Sequence, residues 1–436
     1  MPPGAATSII ALPGSRDDAA FGRDHMMKKD LSAYNIFDLR DIALKRVPKG
    51  LFEFMDRGTE DEVSLRNNRE VFDRIRFRTR TFRDVSRRSQ ETTIFGVKHR
   101  MPLVIAPTGT AGLMWYEGEL ALARAARAAG IPFTLATGSI TAMERVADEA
   151  GGELWFQLYL WPDRSLSFEL VNRARAAGYT ALIVTVDGVS AGNREYNIRN
   201  GFTIPFSYSA RNVLDMLGHP RWLFGTMMRY LVTSGMPMYA NYPAAAKAKM
   251  TKGPMGRSSL RTDSIKWDDF DALRKIWPHK LIVKGMLDPE DAATAVDHGA
   301  DGIVVSNHGG RNLDGIASPI EVLPEIADAV GSRATVFMDS GIRRGTDVVK
   351  ALALGANAVM VGRSTLYGVA AGGEAGAARA LDIYRDEIHR VLALLGVNRI
   401  EELGPEYLLF ADEPLRAPSR AHPGAHAQGE LRAVSE

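Results

Sequence analysis

The sequence contains no cysteine. That one absence excludes disulfides, iron–sulfur clusters, thiolate catalysis and thiolate metal sites together. No G-x-G-x-x-G follows any strand-like run, which argues against a Rossmann domain. No stretch approaches the ~18 unbroken apolar residues of a membrane-spanning helix. The N-terminal MPPGAATSIIALPGSRDD has neither the basic region nor the apolar run of a signal peptide, so the expected location is the cytoplasm. An excess of one charge is missing too. With 54 Lys and Arg against 52 Asp and Glu, no general field draws the chain to nucleic acid. No metal site is expected.

What is present is alternation. Apolar, strand-like runs occur at 103–106, 132–135, 154–159, 181–186, 281–283, 302–305, 335–338 and 358–361. Alanine-rich helical stretches separate most of them, for example 117–130, 165–178, 289–299 and 346–355, each closed by a glycine. Eight such units in about 260 residues predict an α/β fold of the (β/α)8 TIM-barrel kind. Ahead of them, Ile36, Leu39, Ile42, Ala43, Val47, Leu51, Phe54 and Met55 mark helical turns interrupted at Pro48. A basic amphipathic region continues from Leu65 to Asp84. Together these predict an N-terminal helical cap. Residues 1–30 read as a flexible arm, 31–410 as the catalytic barrel and 411–436 as a disordered tail. An insertion, 202–262, lies between the fourth and fifth strands.

In a barrel the C-terminal ends of all strands face one site. Here they carry Pro107-Thr108-Gly109, then Thr137-Gly138-Ser139, then Gln157 and Tyr159, then Thr185 and Asp187 with Arg194 soon after. Lys284 follows, then Ser306 with His308 and Arg311, Asp339 with Arg343, and Gly362-Arg363. One polar residue at a rim is ordinary, but polar residues at every strand end are hard to read as surface decoration. The densest stretch is 303–314, a β-branched run that breaks into a turn presenting a histidine, an arginine and an aspartate. The loops after the seventh and eighth strands contain Gly341, Arg343, Gly362 and Arg363. Glycines there let backbone N–H groups approach an anion and arginine adds bidentate charge, so a phosphorylated cofactor or substrate is expected. Arg344 is better explained as a helix-capping residue.

Three elements together, S-N-H-G-G-R-x-L-D at 306–314, D-S-G-I-R-R-G-T-D at 339–347 and L-A-L-G-A…G-R ending at Arg363, resemble the FMN-dependent 2-hydroxy acid dehydrogenases and oxidases. That family includes glycolate oxidase, L-lactate dehydrogenase and (S)-mandelate dehydrogenase. The resemblance runs from about 33 to 409, and the segments DVSRRS, FQLY and MPLVIAPTG are most similar to the mandelate and lactate dehydrogenase branch. It implies FMN, an (S)-2-hydroxy acid oxidised to the 2-oxo acid, and a quinone or other non-oxygen acceptor. It also implies a homotetramer.

Residue by residue, the resemblance makes His308 the base, Asp187 its supporting carboxylate, and Arg194 with Arg311 the pair that holds the substrate carboxylate. It makes Tyr159 a substrate or flavin contact and places Lys284 beside the flavin N1/C2 edge. Pro107, Thr108, Gly109, Gln157, Thr185 and Ser306 become contacts of the flavin ring. Asp339 becomes a ribityl contact, and Gly341, Arg343, Gly362 and Arg363 the phosphate grip. Phe54 stands where many relatives carry a tyrosine that bonds the substrate carboxylate. Gly138 stands where some oxidases have a large aromatic, which implies a larger substrate pocket.

Other readings remain. An oxidase using oxygen shares most of the pattern, although Gly109 fits the dehydrogenases. A phosphate-binding aldolase would use Lys284 as a Schiff base, and a barrel-derived membrane adaptor would use the insertion alone. The insertion sets Arg211, Arg221, Arg229, Lys247, Lys249, Lys252, Arg257 and Arg261 against Asp215, among aromatic and apolar residues. This composition fits either a segment lying on an anionic bilayer or a lid packed on the barrel. The resemblance favours peripheral attachment at the inner face of the cell membrane.

Overall fold

The computed structural model describes residues 31–202, 209–242 and 262–411. The expected arm, the expected tail beyond Ala411 and two stretches of the insertion lie outside the described residues. Within them the eight apolar runs become eight parallel strands. They are β1 (Leu103–Ile105), β2 (Phe133–Ala136), β3 (Leu154–Leu158), β4 (Ala181–Thr185), β5 (Lys280–Met286), β6 (Gly302–Val305), β7 (Thr335–Met338) and β8 (Ala358–Val361). Each pairs with its neighbour in sequence, and β8 closes on β1 with Val359 opposite Leu103. The predicted (β/α)8 barrel is the fold observed.

The strands read as continuous apolar runs because both of their faces are covered. Val104, Trp155, Ile183, Ile282, Val304, Phe337 and Met360 fill the barrel interior. The alternate residues, among them Leu103, Phe156, Leu182 and Val283, join the larger core beneath the helices. An antiparallel hairpin, Thr92–Ile94 with Val97–His99, plugs the end where the strands begin. Its Phe95 ring lies 5.9 Å from Trp155 and 5.7 Å from Phe337. The opposite end, where the strands finish, is left for polar groups.

The cap consists of α1 (Ile36–Arg46), α2 (Lys49–Asp56) and α3 (Val63–Arg74). The Asn35 side chain accepts from Phe37 N (2.7 Å) and Asp38 N (3.1 Å), satisfying first-turn amides of α1. Pro48 separates α1 from α2, as expected of a residue with no N–H to donate. The amphipathic stretch does not stay helical to Asp84. It ends at Arg74, and Ile75–Phe77 pairs antiparallel with Leu408–Phe410. Ile75 and Phe77 flank Arg76 with strand periodicity, but their partner lies at the far end of the chain and is invisible to a local reading. A long helix, Arg363–Leu395, kinks at Gly372 and Gly373 and packs against α1 and against helix Gly118–Ala129.

The insertion forms helix Ala210–Leu217, then Pro220–Trp222, a π-helical turn Leu223–Met228 and helix Arg229–Thr233. It is pinned inward by Trp222, whose Nε1 donates to Leu113 O (2.7 Å), and by Tyr230, whose hydroxyl accepts from Glu117 N (2.8 Å). Its last described residues return to the loop after β2, where Ala240 N donates to Ser139 O (3.1 Å).

Candidate active site

The loop after β6 places His308 at the mouth of the barrel with φ 58°. A left-handed backbone costs a residue with a Cβ about 1–2 kcal/mol, so the surroundings hold it there. Ser306 Oγ accepts from His308 N (3.1 Å) and from Lys284 Nζ (2.6 Å). His308 Nδ1 lies 2.8 Å from Asp187 Oδ1. Because a carboxylate can only accept, Nδ1 carries the hydrogen and Nε2 keeps its lone pair, 3.4 Å from the Tyr159 hydroxyl. Burial pushes the imidazole below its ordinary value, against the pull of Asp187, so it is neutral at pH 7. Burial alone would raise the Asp187 carboxyl, yet the His308 ring and Lys284 hold it below the usual carboxylate range.

Lys284, 3% exposed, ends the straight part of β5 inside the barrel. Its ammonium sits 2.7 Å from Asp339 Oδ2. Burial works against the charge, but Asp339 and Asp187 outweigh it and raise the ammonium above its ordinary value. A Schiff-base lysine must be a neutral amine, so this setting disfavours the aldolase reading.

Seventeen of the nineteen residues to which the resemblance gives a place line one cavity of about 220 Å³, reached from all eight strand ends. The remaining two, Asp187 and Ser306, stand directly behind His308 and Lys284. Arg194, Lys284, Arg311, Arg343 and Arg363 line it against a single lining carboxylate, Asp339, among the described residues. Burial and neighbouring guanidinium groups lower Arg311 and Arg363 to about 10, which leaves both charged at neutral pH. Such an excess of cations in a low-dielectric pocket demands anionic ligands. Gln157 is fixed in orientation, with Nε2 donating to Thr185 Oγ1 (3.0 Å) and Oε1 accepting from Thr137 N (3.3 Å). Arg194 Nε donates to Arg311 O (3.1 Å) and its Nη2 to Asn312 Oδ1 (3.3 Å), while Asn312 Nδ2 donates to Asp187 O (2.8 Å). Asn312 therefore links an expected carboxylate-binding arginine to the backbone of Asp187, the residue expected to support the base.

A local reading missed how the cap closes this site. Arg363 donates to Met55 O (3.1 Å), Arg57 O (3.0 Å) and Gly309 O (2.8 Å), joining α2 to the histidine loop. Arg311 Nη1 also donates to Arg57 O (2.9 Å), and its guanidinium lies 5.3 Å from the centre of the Phe54 ring. Asp56, at the end of α2, accepts from Tyr367 Oη (2.7 Å) and from Arg40 twice (2.7 Å each). No sequence signal connects Asp56 with Tyr367. Two glycines are required by close approach. A side chain on Gly310 would stand 2.7 Å from Leu65 N, and one on Gly341 would run into the carbonyl of Asn68, so α3 could not seat against either loop. Ser340, at φ 78°, accepts from Gly309 N (2.9 Å) and ties the loops after β6 and β7 together.

Comparison with known proteins identifies the family and the fold. Residues 43–409 match the family model described as FMN-dependent dehydrogenase. The chain is 44% identical over 375 residues to (S)-mandelate dehydrogenase of Pseudomonas putida, covering 86% of this chain and 93% of that one. It is 40% identical over 378 residues to L-lactate dehydrogenase of a Caulobacter species, covering 86% and 98%. The crystal structure of the monotopic membrane protein (S)-mandelate dehydrogenase superposes with a TM-score of 0.82 at 44% identity, covering 87% of this chain and all 100% of that one. Mandelate oxidase with (S)-2-phenylpropionate follows at a TM-score of 0.72 and 35% identity, covering 87% and 98%. A family match over most of the chain, with the barrel and its cationic mouth in place, means that this chain belongs to the FMN-dependent dehydrogenases.

Proposed function

We propose that the protein oxidises an (S)-2-hydroxy acid of the mandelate or lactate kind to the 2-oxo acid and passes the electrons to a quinone or another non-oxygen acceptor. The observation that carries this reading is the neutral His308, backed by Asp187, facing a cavity into which the guanidinium groups of Arg194, Arg311, Arg343 and Arg363 are also brought. Bound FMN supplies the electron-pair acceptor. The site suits it on charge, since Gly362 opens the long helix Arg363–Leu395 with no side-chain cap, leaving first-turn amides for a phosphate beside Arg343 and Arg363.

In this reading Arg311 and Arg194 grip the substrate carboxylate and fix its orientation. His308 Nε2 takes the proton released as the substrate carbon is oxidised. Asp187 stabilises the imidazolium so formed. Lys284 holds a fixed positive charge at the depth of the cavity, where negative charge accumulates during reduction. Tyr159 hydrogen-bonds the substrate oxygen beside the histidine.

The electrons leave at a membrane surface. Among the described residues no helix is long and apolar enough to cross a membrane. Helix Ala210–Leu217 buries none of its residues, and Leu214, Leu217 and Phe224 are 68%, 59% and 66% exposed beside Arg211 and Arg221. A basic, apolar face of this kind suits peripheral attachment to anionic lipid on the cytoplasmic side. A homotetramer belongs to the same proposal and is read by sedimentation equilibrium.

Anaerobic titration tests the reaction. The FMN-loaded protein is bleached by one (S)-2-hydroxy acid, remains yellow with its enantiomer, and is reoxidised faster by a quinone analogue than by air. A colourless protein that cannot be reconstituted with FMN overturns the assignment.

A further inference from the structure

We infer that the insertion is also a wall of the substrate pocket, and that Tyr239 is a specificity-determining residue whose ring takes up the space Gly138 leaves at the end of β2. Gly138 lines the cavity. A Cβ added to it would meet one neighbour among the described residues, Tyr239, with Cε1 at 3.7 Å. Gly138 itself forms the lining there, and the side chain that stands directly behind it comes from a segment about a hundred residues away in sequence.

That side chain is held in place. Tyr239 is 7% exposed and stacks on Tyr242, with ring centres 4.6 Å apart and planes 20° from parallel. Tyr242 in turn meets Trp161 edge-on at 5.4 Å, and Trp161 lies two residues beyond Tyr159 of the same cavity. Asn241, fully buried between the tyrosines, fastens the segment to the loop that carries Gly138. Its Nδ2 donates to Ser139 Oγ (2.7 Å) and Thr141 O (3.2 Å), and its Oδ1 accepts from Met143 N (2.8 Å). The segment carrying Tyr239 is thus fastened to the loop carrying Gly138. Apolar walls of this kind sort substrates by size, with roughly 10–200-fold discrimination for a misfit of one methylene.

The inference rests on the proposed reaction, because it places the substrate's side chain against this wall. Its test is anaerobic stopped-flow reduction of FMN-loaded enzyme by (S)-2-hydroxy acids of rising bulk, from lactate through mandelate to 4-tert-butylmandelate. Tyr239→Ala shifts the ratio of specificity constants towards the bulkiest acid by on the order of tenfold, through substrate Kd rather than through the limiting rate. Tyr239→Leu shifts it less, and Tyr239→Phe, which keeps the ring, keeps the wild-type size profile. Should Tyr239→Ala fail to fold or to retain FMN, the leucine variant decides. An unchanged size profile in FMN-loaded variants overturns the wall while leaving the reaction standing. A wild-type flavin that no 2-hydroxy acid reduces overturns the reaction first, and the wall with it.

Discussion

At the rim of the barrel, charges are buried and held by hydrogen bonds, whereas on the outer face of the insertion, among the described residues, apolar groups are exposed. Lys284 is 3% exposed and bonds both Asp339 and Ser306, and His308 is locked to Asp187. Leu214 and Val232, by contrast, are 68% and 80% exposed. Desolvated charges cost free energy unless their geometry is good, so the rim is organised in advance around an ionic ligand. Exposed leucines contribute little to folding where they stand, and a face of this kind suits the peripheral membrane contact proposed above. The inner side of the insertion belongs with the rim, since Trp222, Tyr230 and Asn241 are buried against the barrel loops.

If the rim is preorganised for chemistry, the largest loss should follow removal of its base. His308→Ala lowers the rate of flavin reduction by on the order of a thousandfold, about 4 kcal/mol, while FMN stays bound. The wild-type pH profile checks the same residue. Burial depresses the imidazole below its ordinary 6.5, so the neutral base form predominates at pH 7. Activity therefore falls only as the pH drops below 6.5 and through the depressed value. An acid limb centred above 6.5 means that the charged imidazole is the stabilised form, which contradicts the geometry.

Arg363→Ala comes next. The variant removes the donor to Met55 O, Arg57 O and Gly309 O. FMN affinity falls by roughly ten- to a hundredfold, read as cofactor lost on ultrafiltration, consistent with loss of a charged hydrogen-bonding group. Full FMN retention would detach Arg363 from the cofactor site.

A smaller effect is expected from Phe54→Tyr. The Phe54 ring packs on Phe202, 5.3 Å between centres, and lies under Arg311. A hydroxyl added there tightens lactate-sized substrates by about 1 kcal/mol if it reaches their carboxylate. Equal binding of small and aromatic acids before and after the change would place Phe54 away from that carboxylate.

The smallest effect on the fold tests the other region. The triple variant Leu214→Ser, Leu217→Ser, Phe224→Ser changes unfolding free energy by no more than about 0.5 kcal/mol and leaves reduction by substrate intact. It no longer sediments with anionic vesicles at low salt. If the wild-type protein never sediments with them, the contrast between the two regions has nothing to do with lipid.

Much of this molecule is legible in its sequence because the signals are local. An apolar run of four or five residues followed by a polar turn needs no distant information to be read as a strand end, and repeated eight times it specifies a closed barrel. Loop 306–314 and the arginines after β7 and β8 announce themselves in the same way. What only tertiary structure decides is which surfaces meet once the barrel has closed. Ile75–Phe77 becomes a strand because Leu408–Phe410 arrives beside it. Gly310 and Gly341 are glycines because α3 crosses them. Asp56 finds Tyr367 and Arg40, and Tyr239 fills the space beside Gly138, across separations that no period or motif spans. Propensity and periodicity act within a window of a few turns, whereas these contacts are set by where ring closure and the cap bring distant segments together.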